Sequence, residues 1–131
     1  MLEGHCLCGA SGWRLAEMPT QATICNCRAC HRYGAVWAYG NWGEEIEIFG
    51  ETRGYVRADS DGDLAFHTCA VCGAPHSWQP ARPGGTVYRM AVNLRLAPQQ
   101  AVAALPLRRF DGRDSWTSRP DDGGTLGAIW V

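Results

Sequence analysis

What this sequence lacks excludes several classes of protein. It has no excess of positive charge: 12 basic side chains against 13 acidic ones leave a net charge of −1 and a pI near 6.4. A surface so balanced does not follow a phosphate backbone, so nucleic acid is not an expected partner. It has no long apolar run either. The longest, around Ala35 to Tyr39, falls well short of the roughly 20 residues that cross a bilayer, and no membrane association is expected. The start, Met1-Leu2-Glu3-Gly4-His5, has neither the basic stretch nor the apolar core of a secretion signal, so the expected compartment is the cytoplasm. Repeats, linkers and low-complexity segments are missing as well. Residues 1–131 are therefore expected to form one domain, of a size that buries roughly two-thirds of the surface its unfolded chain exposes.

What the sequence does have is cysteine, seven residues in three clusters. Cys6 and Cys8 form a C-x-C pair, Cys25, Cys27 and Cys30 a C-x-C-x-x-C triplet, and Cys69 and Cys72 a C-x-x-C pair. An odd count at these spacings argues against a disulfide framework, because bridges between such close neighbours are strained. The same spacings let thiolates converge on one metal ion. The remaining non-metal reading is a C-x-x-C redox pair at Cys27/Cys30 or Cys69/Cys72, which leaves the other clusters without a purpose.

Elsewhere the chain reads as short strands between turn residues, which predicts a mainly β fold with little helix. Strands are expected over Ser11 to Leu15, Gln21 to Cys25, Val36 to Asn41, Glu45 to Phe49, Leu64 to Thr68, Pro75 to Gln79 and Thr86 to Val92. Others are expected to start at Tyr55 and to end the regular structure at Leu107 to Phe110. A short helix is expected over Cys27 to Tyr33, ended by Gly34, and a longer one over Pro98 to Leu105 with proline in its first turn. Residues 110–131 are rich in Asp, Gly, Arg and Ser and are expected to form an irregular tail held by Trp116 and Trp130. Asp59-Ser60-Asp61-Gly62 resembles the start of a calcium loop, but Leu64 and Ala70 stand where that loop needs Gly and Glu.

Metal arithmetic divides the cysteines. Cys69-x-x-Cys72-Gly73 is a two-ligand knuckle, and a structural zinc takes four ligands. Cys6-Leu7-Cys8-Gly9, also a two-ligand turn followed by glycine, is the natural second donor. That leaves Cys25, Cys27 and Cys30 to hold a second ion with one position open, unless His31 or His67 closes it. Zinc is expected for both sites on its frequency, with iron the alternative in the four-sulfur site.

With these residues in view, the chain resembles the glutathione-dependent formaldehyde-activating enzyme family. The resemblance rests on Gly4-His5-Cys6-Leu7-Cys8-Gly9, on Cys25 to Cys30, on Cys69 to Gly73 and on Val92-Asn93-Leu94-Arg95, and spans roughly residues 4 to 97. Two positions depart from the family pattern: His31, where Arg often follows the third cysteine, and Thr68, where Phe commonly precedes Cys69. The resemblance implies a β-tent fold with a four-cysteine structural zinc and a second zinc on the triplet that takes the glutathione thiolate. It implies a carbon–sulfur lyase that joins glutathione, or another small thiol, to formaldehyde or a similar small aldehyde. Glutathione carries two carboxylates, which arginine pairs bidentately. Arg28, Arg57 and Arg95 are then candidates for substrate binding, with Trp37 and Tyr39 as pocket wall. His31 and Arg32 are the candidates beside the reacting atoms, His31 as a proton relay. The alternative is a zinc-stabilised binding module without catalysis, its second metal structural or absent.

Overall fold

The computed structural model describes residues 1–82 and 88–130. Strands dominate: β1 (Leu2–His5), β2 (Gly12–Leu15), β3 (Ala22–Cys25), β4 (Trp37–Trp42), β5 (Ile46–Phe49), β6 (Thr52–Val56), β7 (Leu64–Cys69), β8 (Pro75–Pro80), β9 (Tyr88–Asn93), β10 (Leu107–Asp111) and β11 (Thr117–Ser118). Helix α1 (Arg28–Tyr33) separates β3 from β4, and a single turn, α2 (Gln99–Val102), follows β9. The fold is mainly β, as the alternation of short apolar segments with turn residues predicts. No helix among the described residues is long and apolar enough to cross a membrane.

Three expectations need correction. The helix over Pro98 to Leu105 shrinks to one turn, because the carbonyls of Ala103 and Leu105 accept the N–H groups of Gly127 and Leu126 instead of continuing a helix. The residues after 110 are less irregular than their composition suggests. Phe110 pairs with Ser118 and Asp111 with Thr117, and a 3-10 turn at Leu126–Ile129 seats Leu126 in the core. The strand expected to start at Tyr55 runs over Thr52–Val56, while the strand expected over Thr86 to Val92 is described over Tyr88–Asn93, its first two positions and residues 83–85 of the expected loop before it lying outside the described residues.

The strands form one mixed sheet in the order β1-β2-β5-β4-β9-β8-β7-β6, with β3 pairing β4 and β10, and β10 pairing β11. Most pairs are antiparallel; β4 with β5 and β3 with β10 are parallel. A main core of Trp13, Val36, Ile46, Met90, Leu94 and Val102 lies at one side. A second cluster joins Cys30 and Trp37 to Phe66 and Ala91, with Tyr33, Tyr39 and Trp78 packed against it. This smaller, aromatic cluster carries the cysteine triplet.

Strands β2 and β8 are not neighbours in the sheet, yet fully buried His76 of β8 reaches Gly12 of β2. The Gly12 carbonyl can only accept, so His76 Nε2–H donates to it at 2.9 Å. His76 Nδ1 then accepts from the Ser77 hydroxyl at 2.9 Å, whose oxygen takes Gln79 Nε2–H at 3.0 Å. This arrangement holds the imidazole neutral, and burial pushes its pKa below the ordinary 6.5. Below 6.5 the unfolded chain binds a proton that the folded chain resists, so the contribution of His76 is complete above that pH and is lost as pH falls through the depressed folded value. We expect His76→Gln, which cannot titrate, to be less stable than the parent at pH 7.5 and to lose less melting temperature on acidification to pH 5.5. Equal losses in the two proteins would show that another group governs the acid limb.

Candidate metal centre and adjoining cleft

Two tight turns, one between β1 and β2 and one between β7 and β8, present the paired cysteines. They are built alike. Gly9 N–H bonds to the Cys6 carbonyl and Gly73 N–H to the Cys69 carbonyl, both at 3.0 Å, with the glycines at φ +80° and +75°. A side chain disfavours that backbone region, which is why each C-x-C or C-x-x-C ends in glycine. The turns aim backbone donors at sulfur: Ser11 N–H lies 3.3 Å from Cys6 Sγ and Val71 N–H 3.4 Å from Cys69 Sγ.

The four sulfurs of Cys6, Cys8, Cys69 and Cys72 lie within 4.8 Å of one another. Cys6 is 3.6 Å from Cys8 and 3.5 Å from Cys69, and Cys8 is 3.8 Å from Cys69. Four thiolates about 2.3 Å from a tetrahedral zinc stand about 3.8 Å apart, so the donor set fits that ion. The Cys69 thiol is pulled down to about 5, chiefly by the Ser11 hydroxyl and then by the N–H groups of Cys72 and Val71. Ser11 Oγ is itself buried and makes no hydrogen bond of full geometry, an orphan that a metal-bound thiolate would satisfy. Ser11 carries no motif signal, since the spacing rules concern only the ligands.

The triplet is assembled differently. Strand β3 delivers Cys25, and Cys27 caps α1, its sulfur accepting Cys30 N–H at 3.3 Å while Cys25 Sγ accepts Cys27 N–H at 3.4 Å. Gly34, at φ 62°, closes the helix with its N–H on the Cys30 carbonyl. The buried Trp37 indole N–H donates to Cys30 Sγ at 3.3 Å, so this side chain orients a sulfur as well as walling the site. Donation from Cys25 and then from Cys30 draws the Cys27 pKa down to about 2, while bonding to Cys27 pushes Cys25 up and bonding to Cys25 and then to Cys27 pushes Cys30 up.

The three sulfurs also lie within 4.8 Å of one another, and among the described residues no fourth His, Cys, Asp or Glu joins them. His31 is exposed on α1, and His67 Nδ1 is engaged by Thr52 Oγ1 at 2.8 Å. Among the described residues, then, neither of the two histidines named as a possible fourth ligand is grouped with the three sulfurs.

Above the triplet lies a cavity of about 1080 Å³. Trp37, Tyr39, Phe66 and Trp78 line its aromatic side, and Arg28, Arg32, Arg57 and His31 stand on its rim. Burial, then the neighbouring Cys30, pushes the Tyr39 phenol up to about 12, so it stays protonated. Arg57 grips Asp59 bidentately at 2.9 and 2.8 Å, and Arg28 adds a third bond at 3.0 Å. Asp59 is well exposed, so these pairs are worth little and can be exchanged for another carboxylate. Arg32 bonds the Arg28 carbonyl at 3.0 Å. Arg95 does not reach this cavity. Its Nε donates to the Gly34 carbonyl at 2.6 Å, and it faces an adjoining cavity of about 460 Å³ that shares Cys25, Asn26, Cys30 and His31.

The last wall comes from the far end of the sequence. Strand β10 runs parallel to β3 with Phe110 beside Cys25, which places the 111–116 loop over the triplet. Asn26, between the first two cysteines, donates to Asp111 at 3.0 Å and accepts Arg113 N–H at 3.0 Å. A Cβ on Gly112 would stand 2.5 Å from Cys25 Sγ, so only glycine passes there. Trp116 closes the loop at φ 58°, a conformation costing a bulky residue about 1–2 kcal/mol. None of these residues is predicted by the cysteine pattern. The Asp-Gly pair at 111–112 signals a turn, but nothing local signals contact with Asn26, 85 residues earlier.

A mainly β sheet bearing two cysteine-only groups, one of four and one of three, defines a protein fitted to hold metal, consistent with zinc. The chain belongs to the glutathione-dependent formaldehyde-activating enzyme family, whose profile matches residues 1–103. Its fold is similar to the crystal structure of a Rhodobacter sphaeroides protein, with a TM-score of 0.57 and 22% sequence identity, covering 72% of this chain and 86% of that one. No curated protein matches the chain.

Proposed function

We propose that the protein is a zinc-dependent carbon–sulfur lyase that joins a thiol, glutathione by the family's name, to formaldehyde or a similar small aldehyde. The observation carrying this reading is a group of three sulfurs that lines a large cleft and has no fourth ligand residue beside it among the described residues. The net reaction balances without an electron donor: the S–H bond breaks, a C–S bond forms, the carbonyl becomes a hydroxyl, and the proton passes from sulfur to oxygen. Cys25, Cys27 and Cys30 would hold the zinc ion, which would lower the pKa of a bound thiol toward the neutral range.

The chain's own residues account for the rest. Trp37 fixes Cys30 through its indole N–H, which orients that sulfur beside Cys25 and Cys27 at the cleft. Arg57 and Arg28 already hold a carboxylate, that of Asp59, and a substrate carboxylate can take its place. Arg95, toward the adjoining cavity, is the candidate for a second one. His31 and Arg32 stand on the rim, where His31 can hold the sulfur proton and return it to oxygen and Arg32 can steady the developing negative charge. None of the four sulfurs of the other group lines either of the cavities described above, and that group serves architecture. This reading places the protein in the cytoplasm, where its seven unpaired cysteines stay reduced.

Cobalt substitution tests the open position. Titrating the cobalt-loaded protein with glutathione should alter the ligand-field and thiolate charge-transfer bands and saturate at one equivalent. Unchanged bands at millimolar glutathione would refute thiol binding at the triplet.

A further inference from the structure

The 111–116 loop begins eight residues after the family match ends at residue 103, yet it forms a wall of the triplet cleft. It is rigidly held. Besides Asn26, the Asp111 carboxylate accepts Asp114 N–H and Ser115 N–H at 3.1 Å and the Ser115 hydroxyl at 2.9 Å. Trp116 N–H returns to the Asp111 carbonyl at 2.8 Å. These bonds hold Asp111 ionised, its pKa lowered first by Asn26 and then by Ser115. The whole construction presents one side chain. Trp116, 71% exposed and in a left-handed conformation, lies edge-on to Phe110 at 5.2 Å along the cleft. A bulky residue kept in such a backbone conformation, with its ring left in solvent, is not explained by packing.

The aromatic side of the cleft also has no partner in the reaction proposed above, because neither glutathione nor formaldehyde carries an aromatic or large apolar group. The cavity here is about 1080 Å³, with Tyr39, Phe66 and Trp78 among the side chains that line it along with Trp116. Aromatic walls favour a flat apolar group stacked or edge-on between them.

We infer that the 111–116 loop is a specificity element in which Trp116, with Phe110, binds an aromatic group carried by the carbonyl substrate. The substrate class is then an aryl-substituted aldehyde, with formaldehyde accepted as a smaller carbonyl that leaves the aromatic site empty. Asn26 and Asp111 are positioning residues that lock the loop to the triplet. The position of the reacting carbonyl rests on the thiol–aldehyde reading above; the binding of the aromatic group does not.

The test uses the zinc-loaded full chain and two measurements. The first titrates 2-phenylethanol, an unreactive analogue of phenylacetaldehyde, and follows tryptophan indole N–H signals by NMR. Trp116 should shift most, with saturation at millimolar probe. Trp116→Ala should weaken binding at least five-fold and Trp116→Phe should restore it to within two-fold, with circular dichroism and metal content unchanged in both. The second compares kcat/KM for phenylacetaldehyde and for formaldehyde with glutathione as thiol. That ratio should fall at least ten-fold in Trp116→Ala and recover in Trp116→Phe. If the probe shifts Trp116 but neither aldehyde reacts, the thiol–aldehyde reading fails and the aromatic site stands. If formaldehyde reacts while the probe leaves Trp116 unmoved, or while the ratio is the same in Trp116→Ala, the specificity element is overturned. If the probe does not bind and nothing reacts, both are overturned.

Discussion

Cys72→Ser is expected to yield a chain that does not fold. Serine stays protonated near neutral pH and does not replace a thiolate on zinc, so the four-sulfur group loses a ligand. That group joins the β1–β2 turn to the β7–β8 turn across 61 residues of sequence, and these strand pairs lie toward opposite ends of the sheet order. Structural zinc contributes about 10–16 kcal/mol in apparent terms, against a net domain stability of about 5–15 kcal/mol. Loss of the metal therefore removes as much as the whole margin. The variant should show lower metal content, loss of the β signal in circular dichroism, and aggregation. Stripping the parent protein with a strong chelator should do the same. A chelated protein with an unaltered spectrum and melting temperature would show that this group does not hold the fold.

Cys27→Ser should behave in the opposite way. It removes a triplet ligand, so metal content should fall by one ion per chain and the cobalt–glutathione signal should vanish. The fold should survive, for a local reason. Cys27 is the N-cap of α1, its sulfur accepting Cys30 N–H, and serine is among the best residues for that position. The helix keeps its cap while the metal site loses its ligand. Cys30 is a poorer choice, because its buried sulfur takes the Trp37 indole N–H and its loss would orphan that donor. A melting temperature within a few degrees of the parent, with glutathione binding weakened at least 100-fold, is the expected result. If Cys27→Ser and Cys72→Ser prove equally folded or equally unfolded, the division of the cysteines into four and three is wrong.

That division was legible because it depends on short-range rules. C-x-C-G and C-x-x-C-G each fold a turn without help from the rest of the chain, and the count of seven leaves three once four are used. The strands were legible for the same reason: Glu45 to Phe49 alternates, and β5 (Ile46–Phe49) follows. Strand β1 was missed because four residues, two of them Gly and His, carry no period that can be read.

Sequence by itself thus determined the mainly β class, the grouping of the cysteines into four and three, and the end of the short helix at Gly34. It did not determine what surrounds the triplet. Only the tertiary structure joined Arg28 and Arg57 through Asp59, carried His76 to Gly12, and turned Arg95 toward the adjoining cavity. It also turned the expected tail into a wall, because β10 pairs in parallel with β3 and its N–H and C=O groups take partners more than eighty residues away. Backbone pairing of that kind has no residue code; any strand of suitable length can make it, and the choice falls to packing of Leu107, Leu126 and the core they complete. So the group of three cysteines followed from arithmetic on their number, while the size and aromatic character of the cleft above it came from distant segments.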